Sequence, residues 1–138
     1  RDETVWSVFR STRQMFGDVL AEDVVEQMDR REQEVLIPAG LRMFVALVEG
    51  RVAGFTNLLS LRAVGYLDTV VTLPQFRRRG VATAAVTHAV GESLAGGDRL
   101  VHLLADEGEP PQALYERLGF RVRARVRSVN RSLLPGDR

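Results

Sequence analysis

The sequence predicts a single mixed α/β domain over residues 1–138, with helices packed on a sheet. Three observations predict it. Apolar residues recur at helical spacing before Pro38 and again after Gly80. Between those points the apolar residues form dense, β-branched runs separated by turn residues. The composition is 45% hydrophobic and 27% charged, as in a globular domain, which excludes disorder as the overall state.

Each element follows in order. Val5, Phe9 and Phe16 fall near one helical face with Trp6 beside them; Gly17 and Asp18 interrupt. Leu20, Val24 and Met28 resume at spacing four, with the charged residues from Glu22 to Glu34 on the other face. Pro38 and Gly40 end that region. Leu41 to Val48 and Val52 to Leu59 read as a hairpin around Glu49-Gly50-Arg51. Tyr66 to Thr72 is a third strand, stopped by Pro74, which cannot donate to a ladder.

Val81 to Ala95 reads as a helix with Val81, Val86, Ala89, Val90 and Leu94 on its apolar face, closed by Gly96-Gly97. Leu100 to Ala105 is apolar on both faces apart from His102, the pattern of a central, doubly covered strand with that histidine buried. Pro111 to Leu118 is a short helix with proline in its first turn and Gly119 after its end. Arg121 to Arg127 alternates strictly, arginines on one side and Val122, Ala124 and Val126 on the other. That predicts a half-buried edge strand whose charges block aggregation.

Composition removes several function classes. With no cysteine there is no disulfide framework, zinc ribbon or thiol nucleophile. Two histidines, His88 and His102, leave little for a metal site, and His88 reads as a surface residue. No apolar run approaches the roughly 20 residues that span a bilayer. A net charge of +1 does not suit a polycation that coats nucleic acid. All 19 basic residues are arginine and Ile37 is the only isoleucine, which reads as the codon bias of a GC-rich genome. Arginine clusters are discounted accordingly. The chain begins at Arg1 without a methionine, as expected if residues were removed or if it is a piece of a longer protein.

The informative stretch runs from Tyr66 to Thr83. A strand leads into Pro74-Gln75-Phe76-Arg77-Arg78-Arg79-Gly80, and a helix follows at once. Free N–H groups of the first helical turn and the helix dipole favour an anion there. Gly80 allows a close backbone approach and Ala82 keeps the next contact small. The site suits a pyrophosphate. Neither G-x-x-x-x-G-K-S/T nor G-x-G-x-x-G is present.

Arg77-x-x-Gly80-x-Ala82 resembles the acetyl-CoA signature, R/Q-x-x-G-x-G/A, of the GNAT N-acetyltransferase superfamily. Ala113-Leu114-Tyr115-Glu116-Arg117-Leu118-Gly119-Phe120 is similar to that family's "lYeklGF" segment. The resemblance covers about Leu41 to Arg127 and the motifs stand in the family's order.

The resemblance implies a mostly antiparallel, twisted, GNAT-like mixed sheet flanked by helices. The family normally opens with a strand before the first helix, and none fits before Val5, so either a partner segment supplies that first strand or the sheet lacks it. The strands at Tyr66–Thr72 and Leu100–Ala105 are expected to splay. Pantetheine would pair with backbone at Val70, Val71 and Thr72. The pyrophosphate of acetyl-CoA would sit on Arg77, Arg78, Arg79, Gly80, Val81, Ala82 and Thr83. Tyr115 would protonate the leaving thiol. Asp68 is the best candidate base, and equally readable as a solvent-facing strand-edge carboxylate; Asp106 and Glu107 are weaker candidates. Tyr115 has the alternative reading of a core tyrosine with a satisfied hydroxyl. The family often carries asparagine where this chain has Gly108.

The expected function is transfer of acetyl from acetyl-CoA to an amine on a small molecule or peptide, in the cytoplasm and without a metal. A homodimer is compatible with this, whereas a nucleic-acid or membrane partner is not expected. A catalytically inactive acyl-CoA-binding or sensor module on the same fold is the alternative. The early helices, with Trp6 and Phe9, would supply core or the acceptor wall.

Overall fold

The computed structural model describes residues 3, 6, 7, 9, 10, 22–129 and 131. Glu3, Trp6, Ser7, Phe9 and Arg10 are helical. Helix α1 spans Glu22–Arg31 and runs on as a wide π turn over Glu32–Leu36. Strands β1 (Arg42–Val48), β2 (Arg51–Leu61) and β3 (Val64–Thr72) follow. After a short 3-10 turn at Pro74–Phe76 come α2 (Val81–Ala95), β4 (Leu100–Leu103) and α3 (Pro110–Arg117). The sheet order is β1-β2-β3-β4; the first two pairings are antiparallel and β3–β4 is parallel. This is the mixed, mostly antiparallel sheet flanked by helices that the sequence predicts. No strand occurs among the described residues before Arg42.

Both hairpins turn in two residues of left-handed backbone. Glu49 and Gly50 have φ of 50° and 75°, and Arg62 and Ala63 have φ of 51° and 61°. Such turns match strand twist and normally draw on Asn, Asp or Gly. Arg62-Ala63 does without them because Leu61–Val64 and the pairs beyond it hold the two strands in register.

Side-chain parity divides the sheet into two faces. Leu58 and Leu67 sit opposite each other and form a core with Val86 and Ala89 of α2 and Tyr115 of α3. Phe55, three residues before Leu58 and therefore on the other face, packs against Phe9 with ring centroids 4.9 Å apart.

Several expectations are corrected. Arg121 to Arg127 is not a strand: residues 121–129 make no ladder, and Val122 and Val126 are 55% and 75% exposed. Alternation decides which side chains share a face, but a strand exists only where an edge supplies hydrogen bonds. For the same reason β4 is not a central strand. It is an edge of four residues, its outward Leu100 57% exposed. His102 shares that open face and is exposed, not buried.

In α2 the buried residue near the C-terminus is Ser93, not Leu94, because the Ser93 hydroxyl donates to buried Asp98. Along α1 and into its π turn, Val25, Asp29 and Glu32 are buried while Val24 is exposed, so the inward stripe is one residue round from the one expected. Val5, Phe16, Gly17, Asp18 and Leu20 lie outside the described residues.

Candidate functional site

Pairing between β3 and β4 covers only Val64–Leu67 against Leu100–Leu103. Strand β3 continues to Thr72 with β2 on one side and, among the described residues, no strand on the other. Val70, Val71 and Thr72 lie in this half-paired stretch. Along it, alternate backbone N–H and C=O groups face away from β2 without a ladder partner. An extended amide-bearing chain could pair there as an added strand would.

The parting coincides with a bulge. Asn57 pairs with Thr69 and the next pair is Leu58–Leu67, so Asp68 is the extra residue. The parity shift keeps Leu67 and Val70 both on the core side and turns Asp68 and Thr69 both to the other face. Asp68 is exposed, with the Thr69 hydroxyl 3.5 Å from its Oδ2.

The loop that follows is built to present donors. Arg78 has φ of 61° and Gly80 has φ of 77° at the N-cap of α2. No side chain caps the helix and no acidic residue stands in its first turn. The first helical bond is from the Ala84 N–H to the Gly80 carbonyl, so the N–H groups of Val81, Ala82 and Thr83 have no intrahelical acceptor. Arg77, Arg78 and Arg79 are exposed around them. A left-handed non-glycine residue beside a left-handed glycine is strain of the kind found at ligand loops.

Two residues that pattern-reading missed complete the loop. The Arg51 guanidinium lies 5.4 Å from the ring centre of Phe76, and that of Arg79 lies 5.8 Å from it. Arg51 belongs to the first hairpin, and only the strand pairing carries it to the loop. Gly54 has no room for a Cβ: one there would run into the Val71 carbonyl oxygen and touch Val81 Cγ1 at 3.0 Å. Its missing side chain lets the start of α2 rest on the sheet. A glycine inside a strand run is the signal that could have found it.

Tyr115 sits in the core cluster with Leu67, while Val70 and Leu103 pack against that cluster. It thus shares one core with residues at the end of the β3–β4 ladder. Phe120 folds back so that its N–H bonds the Tyr115 carbonyl at 3.0 Å, and left-handed Gly119 (φ 94°) makes the reversal. Burial pushes the Tyr115 phenol up from its ordinary value. Gly108 is left-handed as well (φ 81°), and its N–H donates to Gln112 Oε1 at 2.8 Å. That backbone explains glycine at this position. Asp106 is exposed, and Glu107 is engaged with Arg125 at 2.8 Å.

On the face away from α2, the His102 ring stacks on Tyr66, centroids 4.9 Å apart and planes 18° from parallel. The Tyr66 phenol is raised above its ordinary value, first by burial, then by the charge and hydrogen-bonding capacity of Asp68. His88, exposed as expected, meets Phe44 edge-on at 5.1 Å.

The chain is similar in structure to aminoglycoside N-acetyltransferase AAC(6')-Iy in complex with CoA, with TM-score 0.73, 21% identity, and 95% and 91% of the two chains covered. It is also similar to PaiA N-acetyltransferase from Thermoplasma acidophilum in complex with coenzyme A (TM-score 0.67, 16% identity, 88% and 84% covered). An acetyltransferase from Trypanosoma brucei aligns with TM-score 0.59 and 25% identity over 80% of each chain. No curated protein matches the sequence. The model of the acetyltransferase (GNAT) family matches residues 5–120, nearly the whole described fold. The chain belongs to the acetyltransferase (GNAT) family.

Proposed function

We propose that the protein is an acetyl-CoA-dependent N-acetyltransferase that works by direct attack of an amine on the thioester in a ternary complex. One observation carries the reading: the β3–β4 ladder ends at Leu67 and Leu103, and the half-paired strand leads through the loop that ends at Gly80 to the uncapped start of α2. A slot for an extended amide chain that leads to an anion site matches pantetheine followed by pyrophosphate. Two of the similar structures are CoA complexes, which supports the same reading.

Each residue has a task in it. The backbone of Val70, Val71 and Thr72 pairs with pantetheine. Arg77, Arg78 and Arg79 supply charge at the pyrophosphate, and Gly80, Val81, Ala82 and Thr83 supply N–H donors. Arg51 adds a further guanidinium. A lysine-like ammonium is only about one part in 2,500 free base at pH 7, so a proton must be taken first. Asp68 accepts it and passes it to solvent. The nitrogen attacks the thioester carbon and the C–S bond breaks. Tyr115 protonates the departing sulfur and regains its proton, through water, from the nitrogen that the attack left cationic, which becomes the neutral amide. A phenol held above its ordinary value stays protonated at neutral pH and is ready to donate.

Calorimetry with acetyl-CoA tests the binding half of this reading. Thiol release with a panel of free amines, aminoglycosides and lysyl peptides tests the transfer half. Absence of heat with acetyl-CoA at millimolar concentration overturns the reading. Binding without transfer to any amine leaves a binding module in its place.

A further inference from the structure

We propose that two copies of this chain associate by exchanging residues 121–127, each copy's segment adding antiparallel to the edge of the other's β4. The contact uses the side of β4 turned away from β3 and does not depend on the acetyltransferase reading.

One chain carries both halves of such a contact. Among the described residues, β4 is the last strand of the sheet and pairs with β3 alone. Its sequence, Leu100-Val101-His102-Leu103, holds no proline, acid or arginine of the kind that keeps an edge from pairing. Leu100, His102 and, just beyond the strand, Leu104 are exposed on its outward face. Residues 121–129 are exposed throughout and make no ladder, yet 121–127 alternate arginine with Val122, Ala124 and Val126. An extended segment with one apolar side gains hydrogen bonds and burial together only against an edge.

Parity and charge fix how the two would meet. With Val126 opposite Leu100 in an antiparallel pair, Ala124 falls opposite His102 and Val122 opposite Leu104, so the exposed side of β4 meets the apolar side of the added strand. The same direction brings Arg121 and Arg123 to the C-terminal end of β4, where Asp106, Glu107 and Glu109 follow. Residues 121–127 hold four arginines and no acid, and residues 106–109 hold three acids and no base. Strand β1, the other edge, runs into Glu49-Gly50-Arg51 and has no such acidic run after it.

A second copy is the occupant because a single chain does not join its own two halves. Arg125 Nε lies 2.8 Å from Glu107 Oε1, which holds the segment beside the loop after β4 and not along the strand. Both side chains of that pair are mostly exposed, so it contributes little and is given up at small cost. Each copy thus has an edge that its own segment leaves bare and a segment that its own edge does not use. A twofold pair satisfies both at once, and the arginines then guard the new outer edge against a third copy.

Sedimentation equilibrium of the full chain tests the contact. Wild type should dimerise with a dissociation constant in the micromolar range or tighter. Val126→Asp, which sets a carboxylate against Leu100, and Leu100→Asp, on the other side of the contact, should each weaken the dimer by about tenfold or more. Both positions are exposed in the single chain, so cooperative urea unfolding of dilute variant and wild type should agree, which separates lost association from lost folding. The chain has no cysteine, so Leu100→Cys and Val126→Cys chains can be mixed and oxidised. A disulfide between the two different chains should form in preference to one between identical chains. A wild-type chain that stays monomeric at millimolar concentration overturns the proposal. So does a dimer that neither aspartate variant weakens, or a mixture that gives no mixed disulfide. A monomer in which the Val126 amide is protected from hydrogen exchange overturns it as well, since the segment would then lie on its own β4.

Discussion

Leu67 of β3 pairs with Leu103 of β4, and with that pair the parallel ladder ends. The next residue is the bulge at Asp68. The end of the ladder and the bulge thus fall at one place: β3 loses its second neighbour where Asp68 turns out of the strand, and Leu67 shares its core cluster with Tyr115.

Gly80→Asp should weaken acetyl-CoA binding at least tenfold by calorimetry, because it sets a carboxylate beside the phosphates. Aspartate tolerates left-handed backbone better than most residues and caps helices well, so the fold should survive. Affinity retained within threefold, about 0.65 kcal/mol, would mean the anion site lies elsewhere.

Gly54→Ala should destabilise the protein by about 1–3 kcal/mol, as overpacking does. The new methyl meets backbone at Val71, which cannot swing aside, and then Val81 at the start of α2. Urea unfolding measures the loss, and acetyl-CoA affinity should fall in parallel because α2 is pushed off the sheet. Unchanged stability would contradict the close approach.

Tyr115→Phe should lower kcat by up to about a hundredfold while the Kd of acetyl-CoA holds, since the hydroxyl matters in the transition state and little before it. The donor is present below its pKa and lost as pH rises through it. Burial raises that pKa, so the alkaline fall in wild-type kcat should lie above pH 10 or thereabouts and vanish in the variant. An unchanged kcat with a proven acceptor would leave Tyr115 as core only.

Asp98 should make stability acid-sensitive. Its carboxylate accepts from Ser60 Oγ at 2.6 Å and from Ser93 Oγ, and these bonds, with Arg42 nearby, hold its pKa below the ordinary value. A depressed folded-state pKa contributes stability above the unfolded value, near pH 4, and loses it as pH falls through the folded one. Asp98→Asn should be less stable than wild type at pH 7, with the gap narrowing from about pH 4 downward. A gap independent of pH in urea unfolding would show that the charge contributes nothing. Gly65 guards this cluster, since a Cβ there would strike Ser93 Oγ.

The sequence by itself determined the parts whose physics is local. Helix α2 runs from Val81 to Ala95 as expected because left-handed Gly80 starts it and Gly96-Gly97 stop it. The first hairpin is legible because Glu49-Gly50 turns in place between two apolar runs. The loop donors, Tyr115 and Gly119 stand in contiguous motifs, so their residue types could be read directly. Tertiary structure decided what depends on two segments meeting. Register against β2 makes Asp68 a bulge, and no single strand contains that information. Strand pairing brings Arg51 to Phe76 and sets Gly54 under Val81. His102 reads as buried among apolar neighbours, yet β4 is an edge and its outward face is open. Arg121 to Arg127 carries a strand's alternation without a ladder, because a strand is a property of a pair, and alternation belongs to one chain segment alone.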